Sequence, residues 1–144
     1  VEASYVQLDA VVEGVKVFDR LTAAQPGNEL NHYFLGRLHE RLERFEPAEA
    51  AYRKVYELAP DWPEGCRALA ELYLRANRKP AEAQALARRA VELEPSGAHY
   101  ALLALAYSRN NNRTGALEAI EQAILKNPNE ARYRAMLEQL KGGL

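Results

Sequence analysis

The apolar positions of residues 28–60 follow a helical period. They fall into two sets, Leu30, Phe34, Leu35, Leu38 and Leu42, followed by Ala48, Ala51, Tyr52, Val55 and Ala59. Spacings of three and four residues place each set on one face of an α-helix, so the segment is predicted to be two amphipathic helices packed against each other. Asn28 is suited to cap the first helix and Pro47 to occupy the first position of the second. Pro60 ends the second helix, because proline has no N–H to continue it.

The same pattern of positions returns twice along the chain. Pro26, Pro60, Pro95 and Pro128 follow one another at separations of 34, 35 and 33 residues. In phase with them, the first helices read His32-x2-Leu35-Gly36-x2-His39, Cys66-x2-Leu69-Ala70-x2-Tyr73 and Tyr100-x2-Leu103-Ala104-x2-Tyr107. The second helices read Ala48-x3-Tyr52, Ala83-x3-Ala87 and Ala116-x3-Ile120. A period of this length is typical of an array of helical repeats.

Over residues 29–128 this pattern resembles the tetratricopeptide repeat, in which a bulky residue, Leu-Gly and Tyr are followed by Ala, Phe and a closing Pro. The resemblance implies an all-α fold, a right-handed α-solenoid of antiparallel helix pairs. Gly36, Ala70 and Ala104 are then expected where the two helices of a repeat cross closely, since a larger side chain there would force the helices apart. Ala48, Ala83 and Ala116 are expected to play the matching part on the partner helices.

The spacing predicts one domain made of five segments. These are a partial N-terminal repeat or helix at residues 1–27, repeats at 28–62, 63–96 and 97–128, and a capping helix at 129–141. The last segment suits a cap because one face is apolar and the other is charged, and a terminal repeat needs a polar outer face.

The N-terminal segment is apolar around most of its circumference, with a valine, leucine or aromatic residue at nine positions of residues 5–21. A helix of this kind is expected to be covered on more than one side. An upstream element or a second copy of the chain, contacting residues 3–21, would provide that cover. A helix that leaves a few valines exposed is the open alternative.

Bulk composition excludes several classes of protein. The chain has 144 residues and a formal net charge of -1, which argues against nucleic-acid binding. Its apolar runs are too short to cross a bilayer, so direct membrane insertion is not expected. With one cysteine, Cys66, an intrachain disulfide is ruled out. A soluble protein of the cytoplasm or the periplasm is expected, and the sequence leaves the compartment open.

Residue types that could support catalysis lie mostly at packing positions. His32 and His39 share a helix face, but the equivalent positions elsewhere hold Tyr100, Tyr73 and Tyr107, so both histidines are interpreted as aromatic substitutes. Residues 39–43 lack the second histidine of a zinc-protease motif, and Cys66 is expected to be buried and inert. With no phosphate-binding loop and no catalytic set, the chain is predicted to be no enzyme and to need no cofactor or metal.

The resemblance implies instead a concave groove that binds a peptide or partner protein and is lined by the first helix of each repeat. The predicted lining residues are Tyr33, Arg37, Arg41, Arg67, Glu71, Arg75, Leu105, Arg109 and Arg134. Chaperone-binding members of that family hold a peptide carboxylate with a clamp of Lys, Asn and Arg. The matching positions here begin with Tyr33 and Arg37, so that specificity is not expected. The alternative for these arginines is that they are solvated charges paired along their helices.

A protein–protein interaction scaffold is therefore the leading functional hypothesis. Two alternatives remain open: the repeat region of a larger enzyme, such as a glycosyl- or sulfotransferase, and a self-assembly module that uses the N-terminal helix. Trp62 is interpreted as a packing residue at the junction of two repeats.

Overall fold

The computed structural model describes the backbone of residues 2–142 and the side chains of residues 7–142. Within that range the chain forms eight α-helices and no strand. The helices are α1 Glu2–Ala24, α2 Glu29–Arg41, α3 Phe45–Leu58, α4 Pro63–Ala76, α5 Pro80–Leu93, α6 Gly97–Arg109, α7 Arg113–Lys126 and α8 Ala131–Lys141. They group into two compact units, Val1–Gly65 and Cys66–Leu144. The predicted all-α class is confirmed.

Polar side chains begin several of these helices. The Asn28 side chain accepts hydrogen bonds from the backbone N–H groups of Leu30 (3.1 Å) and Asn31 (3.4 Å) at the start of α2. Ser96 caps α6 by accepting from the N–H of His99 at 3.2 Å. Each cap satisfies N–H groups that have no partner inside the helix.

The second helix of the first repeat begins earlier than predicted. The helix α3 starts at Phe45, so Pro47 is its third residue and not its first. Proline is tolerated there because the N–H groups of a first helical turn have no intrahelical acceptor. The chain reverses just before it, at Glu43, whose φ of 55° lies in the left-handed region.

In the first unit, α2 and α3 meet at Gly36. A Cβ atom at position 36 would lie 2.6 Å from Cδ1 of Tyr52, far inside van der Waals contact. The ring of Tyr52 therefore lies directly on the glycine, and its hydroxyl donates a hydrogen bond to the carboxylate of Glu40. Burial, together with this bond, raises the pKa of Tyr52 far above its usual value. Gly36 thus permits the close crossing that the repeat pattern predicts.

The N-terminal segment is one continuous 23-residue helix. Its residue Val15 forms a buried cluster with Leu35 of α2 and Ala51 of α3, and Phe18, Leu38 and Leu42 pack around that cluster. One side of α1 is therefore covered by the first repeat. Of the predicted contact segment 3–21, the side chains of residues 3–6 lie outside the described residues.

The second unit repeats the same burial pattern. Ala70 and Ala104 are fully buried, as are their partners on the second helices, Ala83, Ala87, Ala116 and Ile120. The final helix α8 begins at Ala131, two residues after the predicted start, and buries Tyr133 and Leu140 while its charged face stays exposed. No described helix is long and apolar enough to cross a membrane.

Candidate functional site

A groove of about 480 Å³ opens in the second unit between α4 and α6, which are the first helices of two pairs, and the final helix α8. It is lined by Glu71, Leu74 and Arg75 from α4, by Ala98, Ala101, Leu102, Leu105 and Arg109 from α6, and by Arg132, Tyr133 and Met136 from α8. The lining residues of α4 and α6 belong to first helices, on which the resemblance places the binding wall, and the others belong to the capping helix.

The central helix α6 supplies the floor. Its lining residues are spaced by three, one, three and four positions, which places them on one helical face. The opposite face carries Tyr100, Leu103 and Tyr107. A helix that is apolar on both sides can pack one side and leave the other open to a ligand.

Arginines dominate the rim of the groove. Glu71 lies between the rim residue Arg75 and Arg67 beside the groove, with Oε1 3.0 Å from Nη1 of Arg67 and Oε2 3.7 Å from Nη2 of Arg75. Nη1 of Arg109 donates to the backbone carbonyl of Leu74 at 2.8 Å, which ties the end of α6 to α4. The lining residues include three arginines and one glutamate. One of these arginines, Arg132, is paired with Glu130, whose Oε1 lies 3.1 Å from Nε of Arg132.

The structure brings four of the predicted site residues together here: Glu71, Arg75, Leu105 and Arg109. Arg67 lies beside the groove, where it orients Glu71. The predicted residue Arg134 is not among the lining residues, and its Nη2 donates to the carbonyl of Pro128 at 2.9 Å. On α8 the arginine that lines the groove is Arg132.

Several lining residues were not in the sequence-based set. Arg132 and Met136 are four positions apart on α8, a spacing that puts them on one face. Ala98, Ala101 and Leu102 carry no charge, and residue type alone gives no sign that they line a groove. The pattern of α6, apolar on two faces, is the one signal that could have indicated them.

The other three predicted residues lie in the first unit. Tyr33 is only 8% exposed, and its ring packs edge-on against Trp62 with centroids 5.1 Å apart. The guanidinium of Arg37 lies 5.9 Å from the centroid of the Tyr33 ring, a cation–π arrangement. Arg37 and Arg41 are exposed. The neighbouring Phe34, in contrast, is 42% exposed. On this helix the solvent-exposed aromatic residue is therefore Phe34, which was not among the predicted lining residues, and not Tyr33.

The three histidines occupy structural positions. Nε2 of His32 lies 3.0 Å from the carbonyl of Pro26, and Nδ1 of the buried His99 lies 2.8 Å from that of Glu94. His39 is buried, and its Nδ1 makes no hydrogen bond within the described residues. Burial lowers the pKa of His39, an effect that Asp19 opposes and Arg44 reinforces. Cys66 is fully buried.

Comparison with known proteins identifies the repeat. The sequence profile of the tetratricopeptide repeat matches residues 31–61. No curated protein sequence matches the chain.

Solved structures match over most of the chain. MamA (residues 41 to the end) from Desulfovibrio magneticus RS-1 has a TM-score of 0.86 at 19% identity, covering 94% of this chain and 76% of that one. The first TPR domain of Spaghetti (RPAP3), bound to an HSP90 peptide, has a TM-score of 0.75 at 21% identity, covering 80% and 91%. YrrB, described as a TPR protein with an unusual peptide-binding site, has a TM-score of 0.76 at 16% identity, covering 88% and 65%. The predicted tetratricopeptide resemblance is thereby confirmed, and the chain has the fold of tetratricopeptide repeat proteins.

Proposed function

We propose that the chain is a protein–protein interaction scaffold that binds a peptide segment of a partner in the groove between α4, α6 and α8. The observation that carries this function is the groove itself, an open channel with an apolar floor and an arginine-rich rim. Such a combination favours peptides, because the floor takes an apolar anchor while the rim fixes its orientation.

The chemistry of the lining defines the segment that fits. Leu102, Leu105 and Met136 offer aliphatic contact, so a leucine-sized side chain is the expected anchor. A carboxylate within a few residues of that anchor would face Arg75 or Arg109, and guanidinium groups bind carboxylates with two parallel hydrogen bonds. The expected partner segment is therefore acidic and carries an aliphatic residue.

Two similar structures support a peptide as the ligand. The Spaghetti domain was solved with an HSP90 peptide bound, and YrrB is described as having a peptide-binding site. Arg37 and Arg41 of the first unit are exposed and remain proposed partner contacts, whereas Tyr33 could contact a partner only through the small part of its ring that is exposed. The proposed role is binding without catalysis, which agrees with the structural positions of the histidines and with the burial of the cysteine.

A matched pair of arginines on α8 provides the test. A random peptide library displayed on phage is selected on the wild-type chain, and the best peptide is labelled and titrated by fluorescence anisotropy. Arg132→Glu is expected to weaken binding about tenfold or more, because it reverses a charge on the rim. Arg134→Glu reverses the same charge on the same helix outside the groove, and it should change affinity less than about twofold.

The difference between the two variants is decisive. Equal loss in both would mean that net charge, and not the groove, attracts the peptide. A larger loss in Arg134→Glu would move the binding surface to the other side of α8. Circular dichroism of both variants checks that their helicity matches the wild type.

A further inference from the structure

The first unit has an uncovered apolar face on α1. The face comprises Ala10, Val17, Leu21 and Ala24, which follow one another at spacings of seven, four and three residues and so lie on one side of the helix. Val17 is 48% exposed, Leu21 is half-buried, and both alanines are exposed. The side of α1 that packs against α2 and α3 is a different one, centred on Val11 and Val15.

The repeat pattern shows that this exposure is exceptional. Val17 lies 34 residues, one repeat length, before Ala51 of α3. The equivalent positions in the second helices are therefore Ala51, Leu86 and Ala119, which are 5%, 6% and 5% exposed. Leu21 stands where they hold Val55, Ala90 and Ala123, all fully buried. A face that is covered in α3, α5 and α7 is therefore open in α1, although its residues remain apolar. Removing apolar side chains such as valine and leucine from water is favourable, so cover would stabilise this face.

Charges beside the face indicate what covers it. Glu13 and Arg20 are exposed and lie on the same edge of the face, one on each side of Val17. In an antiparallel pair of α1 helices related by a twofold axis at Val17, Glu13 of one copy faces Arg20 of the other within one residue of exact register. The same axis sets Ala10 opposite Ala24, where small side chains let the helices approach. A parallel twofold pair would instead place the Glu13/Arg20 edges of the two copies on opposite sides of the interface, so these charges would not meet.

We propose that the chain forms a homodimer through this face, with the two α1 helices antiparallel and crossing at Val17. The face is self-complementary in both shape and charge, which is the requirement for a twofold interface between identical surfaces. The interface uses residues of α1 alone, and none of them lines the groove of the second unit. Self-association and peptide binding are therefore separate properties that can fail separately.

Sedimentation velocity of the whole chain tests the dimer. The wild type is expected to sediment with twice the 16.2 kDa mass of one chain as concentration rises. Val17→Lys places a charge at the axis and should leave a monomer at the same concentrations. Leu125→Lys makes the same change at a leucine that is 72% exposed on α7, and it should leave the dimer intact. A monomeric wild type at the highest soluble concentration, or a dimeric Val17→Lys, would overturn the proposal.

A charge exchange tests the orientation of the two helices. Glu13→Arg and Arg20→Glu should each weaken the dimer about tenfold, and the two changes together should restore it, because opposite charges face each other again. Failure of the double variant to recover would refute the antiparallel arrangement.

Cross-linking locates the twofold axis. Val17→Cys is expected to form a symmetric disulfide-linked dimer under mild oxidation, while Ala23→Cys, on the other side of α1, should not. The native Cys66 is fully buried and is kept in both variants. Equal cross-linking at positions 17 and 23 would exclude an axis at Val17.

Discussion

Substitution of Gly36 by alanine tests how closely α2 and α3 must approach. The added Cβ would lie 2.6 Å from Cδ1 of Tyr52, whereas ordinary contact begins at 3.4 Å. Cε1 of the same ring lies closer still, so the buried ring must withdraw by more than about 0.8 Å, or the two helices must separate by a similar distance. Either movement disturbs the hydrogen bond from Tyr52 to Glu40.

The expected net cost is about 2 kcal/mol. Overpacking a core position costs about 1–3 kcal/mol. Disturbing the hydrogen bond to Glu40 adds about 1 kcal/mol. Alanine recovers about 0.5–1 kcal/mol, because glycine is unfavourable inside a helix. The overpacking cost dominates, so the variant should be less stable despite its better helix propensity.

Urea unfolding followed by tryptophan fluorescence measures this cost where it arises. Trp62 is the one tryptophan of the chain and packs against Tyr33, so its emission reports on the first unit. Gly27→Ala is the matched control, because nothing lies within 4 Å of the added Cβ, and its midpoint should stay close to that of the wild type.

The equivalent pairs of the other repeats provide a rescue. Where the first repeat has Gly36 with Tyr52, the third has Ala104 with Ile120. Adding Gly36→Ala to a Tyr52→Ile variant should therefore change the free energy of unfolding by less than about 0.5 kcal/mol, a coupling of about 2 kcal/mol between the two sites. An equal cost of Gly36→Ala in both backgrounds would refute steric conflict with the Tyr52 ring as the reason for glycine.

Two further predictions concern the first unit. The lowered pKa of His39 means that the unfolded chain binds this proton more readily, so the stability contributed by neutral His39 is fully present above the unfolded value of 6.5 and is lost as pH falls through the folded pKa. The urea midpoint of the wild type should decrease as the pH is lowered from about 7.5 to about 5.5. The decrease should be smaller in His39→Tyr, which carries the same residue type as the equivalent Tyr73. Equal slopes in the two proteins would contradict the assignment. Asn28→Ala should cost about 1 kcal/mol, because the N–H groups of Leu30 and Asn31 lose their acceptor, while Asn28→Ser should retain most of that stability. A midpoint equally low in the serine variant would show that the cap is not the cause.

The sequence alone determined the helix pairs and their close crossings. Apolar spacing and the proline period are local signals, and each repeat carries the same ones in phase. Gly36 and Ala104 were interpretable because a small residue at a fixed place in a repeat has one steric reason to be there. The start of α3 was misplaced by two residues because proline is tolerated throughout the first turn of a helix, so its position does not fix where that turn begins.

Tertiary structure decided which side chains face solvent. Consecutive residues of a helix point about 100° apart, so the two positions that separate Arg132 from Arg134 change which side of α8 each occupies. Similarly, Tyr33 is buried against Trp62 while Phe34 is exposed. These outcomes depend on the rotation of each helix against neighbours that are distant in sequence, and the period of the apolar residues fixes that rotation only to within a residue or two. The sequence therefore determines the repeat, and the packing of one helix on another determines the residues that a partner can reach.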